Sequence, residues 1–196
     1  MSAERLHLRD LAPQRWKNGA GWTRELARAP VGASIDDFDW RFSVATLEHD
    51  APFSAFAGVD RCIVLLRGAG MRLQLAGCPS TWLTRVGDPF HFTGEHGFAA
   101  QLIDGACEDF NVMVRRGRWR ADVTTVDREQ RMAPADAALL LGIAGAWRCS
   151  EADGAIEPLQ AWLWRTAAPA AQIEPLQPNS RALLVRLQAV TPDAIG

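Results

Sequence analysis

Lys17 is the only lysine among the 21 basic residues of a 196-residue chain that has no tyrosine. An ammonium group is a compact point charge with a tunable pKa, which a guanidinium is not. It stands in Trp16-Lys17-Asn18-Gly19-Ala20-Gly21-Trp22-Thr23-Arg24-Glu25. Here Lys17, Asn18, Thr23 and Glu25 offer a cation, an amide, a hydroxyl and a carboxylate, beside glycines that let the backbone pass close to another group. No Gly-Lys-Ser/Thr comes after it, so the run is not a phosphate-binding loop, and its Gly-x-Gly lacks the strand-to-helix setting of a dinucleotide site. A surface turn between strands, with Lys17 solvated, accounts for the same residues equally well.

Three further segments carry polar groups in suggestive places. In Phe38-Asp39-Trp40-Arg41-Phe42-Ser43 a strand would put Arg41 and Ser43 on one face and Trp40 and Phe42 on the other. An outward Arg41 is the plain reading; an inward one requires a carboxylate partner or an anionic ligand, because a buried unpaired guanidinium is very costly. In Pro52-Phe53-Ser54-Ala55-Phe56-Ala57-Gly58-Val59-Asp60-Arg61, the phenylalanines are expected to plug a core. Asp60 and Arg61 open a strongly apolar strand, at an edge or at a cavity mouth. In the segment that begins at Asp109, extended backbone places Asp109, Asn111, Met113 and Arg115 on one face. The basic residues Arg116, Arg118 and Arg120 just beyond it fit a charge-protected strand edge better than an RNA surface, since no RNA-binding module surrounds them.

Other chemistries are poorly represented. The histidines are His7, His49, His91 and His96, with no His-x-His pair. His91, Glu95 and His96 come nearest to a metal set and fall short in number and spacing, so no metal and no cofactor is expected. No Gly-x-Ser-x-Gly elbow is present, and no catalytic residue is assigned. The cysteines at 62, 78, 107 and 149 are too scattered for a zinc ribbon or a redox pair, and Cys62 reads as a small buried hydrophobe.

The elements that must position these groups are mostly strands. Alternating or continuous apolar runs predict strands over residues 6–11, 40–44, 62–66, 71–75, 90–93, 99–103, 110–115 and 119–126. Later strands are expected over 138–144, 161–165 and 183–188, although 135–141 and 159–168 also suit helices on propensity. The turn 67–70 reads as the bend of a hairpin. The stretch 172–178 reads as a loop, and no linker is evident. Many short strands at regular spacing imply an all-β sandwich or closed barrel.

Composition is that of a globular protein, with 48% hydrophobic and 22% charged residues, too apolar for disorder. A formal net charge of -2 gives no general attraction to nucleic acid or anionic lipid, so neither is expected as a partner. The N-terminal residues have no apolar signal core, and no run approaches the roughly 18 apolar residues of a membrane span. The cytoplasm is the expected compartment.

Five blocks, in order within residues 16–115, resemble the HutD/Ves family of bacterial proteins. They are the runs 16–25 and 38–43, then Pro52-Phe53-Ser54 through Gly58-Val59-Asp60-Arg61, Pro89-Phe90-His91-Phe92-Thr93-Gly94 and Asp109-Phe110-Asn111-Val112-Met113. Ala20 and Ala51 stand where the family pattern usually has glycine, and a methyl at position 20 disfavours a positive φ there. The resemblance implies a cupin-like antiparallel β-barrel or jelly roll without a catalytic metal. It implies two packed barrel halves in one compact unit spanning 1–196, a motif-bearing half of about 1–115 and a second half of about 116–190. It also implies an association with histidine utilisation, whose intermediates urocanate, formiminoglutamate and formylglutamate are small carboxylates.

The leading expectation is a metal-independent module that binds a small anionic metabolite in a regulatory or buffering role. Its site residues would be Lys17, Asn18, Thr23, Glu25, Arg41, Ser43, Arg61 and Asn111, acting through charge-assisted hydrogen bonds. The alternatives are a metal-independent hydrolase or isomerase with Glu25 as general base near Lys17, and an interaction protein whose barrel is purely structural. A homodimer is left open.

Overall fold

The computed structural model describes residues 3–74, 79–95 and 97–191. Leu75 at the end of the expected strand 71–75, Cys78 and His96 lie outside these residues. Among the described residues the chain is built from β-strands and one 3-10 turn, Leu8–Asp10, without an α-helix. Among these residues no helix is long and apolar enough to cross a membrane.

The strands are β1 (Glu4–His7), β2 (Gln14–Arg15), β3 (Gly21–Ala29), β4 (Trp40–Leu47), β5 (Ala51–Pro52) and β6 (Val59–Arg67). Then come β7 (Met71–Gln74), β8 (Thr81–Leu83), β9 (Pro89–Thr93), β10 (Ala99–Leu102), β11 (Cys107–Arg115) and β12 (Trp119–Val126). The last are β13 (Gln130–Met132), β14 (Ala137–Ala144), β15 (Trp147–Cys149), β16 (Gln160–Trp164), β17 (Ala171–Pro175) and β18 (Arg181–Ala189). They divide between two compact units, one of Leu11–Val114 and one of Met1–Asp10 with Arg115–Gly196.

The 11–114 unit contains a six-stranded sheet in the order β2-β3-β4-β11-β6-β9 and a four-stranded sheet in the order β5-β10-β7-β8. Antiparallel registers join β3 to β4, β4 to β11, and β6 to β9. The core between the sheets takes Leu47, Ile63 and Leu65 from the first and Met71, Leu73 and Ala100 from the second. Alternation explains the selection, since Ile63 and Leu65 share a face of β6.

The expected hairpin across 67–70 does not form. β6 pairs with β9 and β7 with β10 and β8, so this turn carries the chain from one sheet to the other. Gly70, at φ +101°, sits so tightly that a Cβ there would lie 2.1 Å from the Leu83 carbonyl oxygen. A tight glycine turn therefore serves a change of sheet here, and its local signal matches that of a hairpin.

In the other unit the sheets are β1-β16-β14-β18-β12 and β13-β17-β15. The segments 135–141 and 159–168, open to a helical reading, are occupied by β14 and β16. β14 lies between β16 and β18, and its residues 137–142 are all buried. A strand buried on both faces loses its alternation, and propensity cannot then separate it from a helix. The expected loop 172–178 overlaps β17, which is central in its sheet between β13 and β15. The expected strand 6–11 begins earlier, as β1 paired with β16, and gives way to the 3-10 turn. β12 is an edge strand, and Arg116, Arg118 and Arg120 are exposed around it.

Candidate functional site

A polar stripe runs across the six-stranded sheet. Directly paired residues share a face of a sheet. The registers therefore align Thr23, Ala45 and Asp109 in one row, then Glu25, Ser43 and Asn111, then Arg28, Arg41 and Met113. The third row depends on a register shift in β3 between Glu25 and Ala27, which leaves Leu26 as an extra residue. Such a bulge re-aims the next side chains along the strand, so Arg28 joins the face of Glu25. The opposite face carries buried Trp40, Phe42, Val44, Phe110 and Val112, an aromatic and aliphatic layer that anchors β4 and β11.

Where this stripe lies beyond the apolar core, the unit holds a cavity of about 480 Å3. Arg41, Ser43, Arg61 and Asn111 line it from the strands. Lys17, Asn18 and Thr23 line it from the segment around β2 and the start of β3. Lys17 and Asn18 are exposed, whereas Arg41, Ser43, Arg61 and Asn111 are at most 9% exposed. Arg41 thus points inward, the costlier of the two orientations open to it. Glu25 stands behind Arg41 and is not part of the cavity wall.

The turn that carries Lys17 is fastened in two places. Trp16 donates its indole N–H to Thr23 Oγ1 at 2.8 Å, and the Ala20 amide donates to Asn18 Oδ1 at 3.1 Å. The left-handed residue is Gly19, with φ +74°, and Ala20 is not among the residues of positive φ, so alanine at 20 is tolerated. Gly21 is the tight position: a Cβ there would meet the Thr46 carbonyl oxygen at 2.3 Å.

Each buried cation has a different compensation. Glu25 accepts from Arg41 Nε at 2.7 Å with one oxygen and from Arg28 Nε at 2.6 Å with the other. Arg28 also donates to the Ala33 carbonyl at 2.6 Å. Arg61 donates to the Ser54 carbonyl and to Asn111 Oδ1, each at 3.0 Å. Its guanidinium carbon lies 4.9, 5.3 and 5.9 Å from the ring centres of Phe92, Phe56 and Phe53, which adds cation–π attraction. Burial pulls the Arg61 pKa down to about 10, assisted by the charge of Arg41 and opposed by Asp109. It therefore remains a cation at neutral pH. Asp109, fully buried, accepts a hydrogen bond from Asn111 Nδ2. Burial pushes its carboxyl up to about 7 against the opposing pull of Arg61 and the Asn111 bond.

The arrangement suits recognition of an anion more than proton transfer. Both Glu25 oxygens are engaged by guanidinium donors, which does not present them to the cavity as proton acceptors. The Cys62 and Cys107 thiols are raised by burial to about 12, so neither forms a thiolate near neutral pH. Among the described residues no group of three or more His, Cys, Asp or Glu side chains could hold a metal ion. His91 is exposed on β9, and Glu95 accepts from the Gly58 amide at 3.0 Å.

Several residues of the cavity and of the ion-paired array beside it escape sequence reasoning. Phe53 and Phe56, expected as core plugs, flank Arg61 on the cavity wall. Arg28 is hidden by the bulge, since simple alternation sends it to the opposite face. Trp16 and Ser54 belong to motif blocks but carry no signal of their roles as a hydrogen-bond anchor and a carbonyl acceptor.

Known proteins share this architecture. The family model described as HutD matches residues 8–183. A Pseudomonas putida protein, described as an uncharacterized 21.2 kDa protein in the hutC 3' region, is 39% identical over 136 residues, 69% of this chain and 70% of its own. Protein Ves from Cronobacter sakazakii is 39% identical over 149 residues, 75% of this chain and 79% of its own. The solved structure of HutD from Pseudomonas fluorescens SBW25 superposes with a TM-score of 0.84 at 27% identity, covering 96% of this chain and 99% of that one. A cupin 2 conserved barrel domain protein from Leptotrichia buccalis, at 11% identity, has a TM-score of 0.60 over 96% of this chain and 98% of its own, a likeness of fold alone. Strand content, fold and the matched span agree: the chain belongs to the HutD family and has a cupin-like fold.

Proposed function

We propose that the cavity of the 11–114 unit binds a small carboxylate metabolite, and that the protein serves a regulatory or buffering role in histidine utilisation in the cytoplasm. The observation that carries this reading is the convergence of Arg41, Arg61 and Lys17, distant in sequence, on one cavity of about 480 Å3. Buried cations aimed into a space of that size favour a small anion, which gains charge-assisted hydrogen bonds where water is scarce. The Pseudomonas putida relative described by its position 3' of hutC supports the metabolic setting.

The test is a thermal-shift screen of urocanate, formiminoglutamate and formylglutamate, with calorimetry and product analysis on any hit. Stabilisation without turnover is expected. Arg61→Ala or Arg41→Ala should weaken binding by about 2–5 kcal/mol, the range for removing one partner of a desolvated charge pair. Circular dichroism must show the same fold in the variants. Variants that bind as the wild type does, or a failure of all three acids to bind, would sink the reading; turnover of a hit would replace binding with catalysis.

A further inference from the structure

We infer that the cavity takes up its carboxylate together with one proton, and that the proton is held on Asp109, a positioning residue behind the cavity wall. This rests on the carboxylate reading of the site. Asp109 does not line the cavity and reaches it through Asn111. Asn111 Oδ1 accepts from Arg61 while Asn111 Nδ2 donates to Asp109 Oδ1, so the carboxyl fixes which way the amide faces and thereby how Arg61 is held. The reversed amide would set its oxygen against Asp109 and its N–H groups against Arg61.

At the two ends of this relay, Arg61 Nε and Asp109 Oδ2 are buried without a hydrogen-bond partner among the described residues. The first is an unused donor on a cation of the cavity wall. The second is an oxygen that can accept a proton without disturbing the bond from Asn111. Buried polar atoms are rarely left unpaired, and each such atom calls for an explanation. A proton on Asp109 would supply one for Oδ2, since a neutral carboxyl costs far less to bury than a carboxylate.

The charges around Asp109 set the sign. Arg61 on β6 favours its anion, and Arg41 on β4, itself bound to Glu25 on β3, acts on Arg61. On its own strand Asp109 has Cys107, raised by burial, and Glu108. Arg72, the charged residue of the four-stranded sheet, is engaged with Ser80, Gln74 and Gln101. Arg61 is thus the main charge holding Asp109 ionised. A carboxylate arriving at Arg61 offsets that help and raises the affinity of Asp109 for its proton. One anion and one proton enter together, and the buried array keeps its net charge.

The carboxyl is raised by burial to about 7, so below that pH it already carries the proton and none is taken up. Above it, uptake approaches one proton per ligand, and affinity falls by up to about tenfold per pH unit. The experiment is calorimetry at about pH 8 and about pH 5.5 with urocanate, formiminoglutamate and formylglutamate as probes, at each pH in two cationic or zwitterionic buffers that hold that pH and differ in ionisation heat. Buffer-dependent heat reporting proton uptake is expected at the higher pH, with little at the lower. Asp109→Asn should still bind, without buffer dependence and with an affinity flat in pH. If that variant does not fold, the 13Cγ resonance of Asp109 in the wild type, titrated with and without formylglutamate, reads the same shift. Binding without proton uptake overturns the inference and leaves the carboxylate site standing. Uptake retained in Asp109→Asn puts the proton elsewhere and also overturns it. Failure of all three probes to bind removes the carboxylate reading and this inference together.

Discussion

Arg41, Arg61 and Asp109 are all buried, and each is tolerated for a different reason: a carboxylate shared with Arg28, a cage of rings and carbonyl oxygens, and partial neutralisation. Lys17, Arg41, Arg61 and Asn111 could be chosen from the sequence because charged or amide residues stood beside glycine turns or on apolar strands. Their convergence could not be chosen, because it is a distance between strands. Asp109 carries a consequence for stability. Its carboxyl titrates near 3.8 when unperturbed and at about 7 in the folded chain. Between those values the folded state holds a proton that the unfolded state has released, so stability falls as pH rises and levels off above about 7. Asp109→Asn removes this penalty. Relative to the wild type the variant should gain stability from about pH 4 to about pH 7, by at most about 4 kcal/mol. Denaturant unfolding of both proteins across that range checks it, and a difference independent of pH would count against a raised Asp109.

At the scale of elements, the strands with clear apolar patterning were legible and strand partnership was not. The expected strand 119–126 coincides with β12, and 40–44, 90–93 and 99–103 each locate an observed strand. In β9 the alternation reflects one half-buried face, whereas both faces of β4 are buried, one of them with Arg41 and Ser43. β3 was not expected as a strand at all, since its polar and charged residues mask the signal and Leu26 breaks the alternation. It is nevertheless the strand that delivers Thr23, Glu25 and Arg28. Gly21, at its start, lies against β4 more closely than any side chain allows. Gly21→Ala should therefore destabilise the protein by roughly 2–3 kcal/mol, as strand β3 shifts away from Thr46. Chemical denaturation measures this directly; a variant as stable as the wild type would show that the contact yields without strain.

For the whole molecule, the chain starts in one unit, builds residues 11–114 as another, and returns to complete the first, whose edge strand β1 comes from residues 4–7. The resemblance in residues 16–115 covers almost the same span as the 11–114 unit, and the candidate cavity lies there. With no His-x-His pair and no metal-holding group among the described residues, purified protein should carry no stoichiometric transition metal, and EDTA should leave its Tm unchanged. Elemental analysis finding about one ion per chain would overturn this. The sequence by itself determined the all-β class, the family and most of the polar residues of the cavity, because composition, period-2 patterning and ordered motifs are local properties of the chain. Tertiary structure alone decided that 67–70 joins two sheets, that a bulge turns Arg28 toward Glu25, and that Asp109 reaches Arg61 through Asn111. Those depend on which strands lie side by side and in what register, and backbone hydrogen bonds between strands carry no mark in the residues that make them.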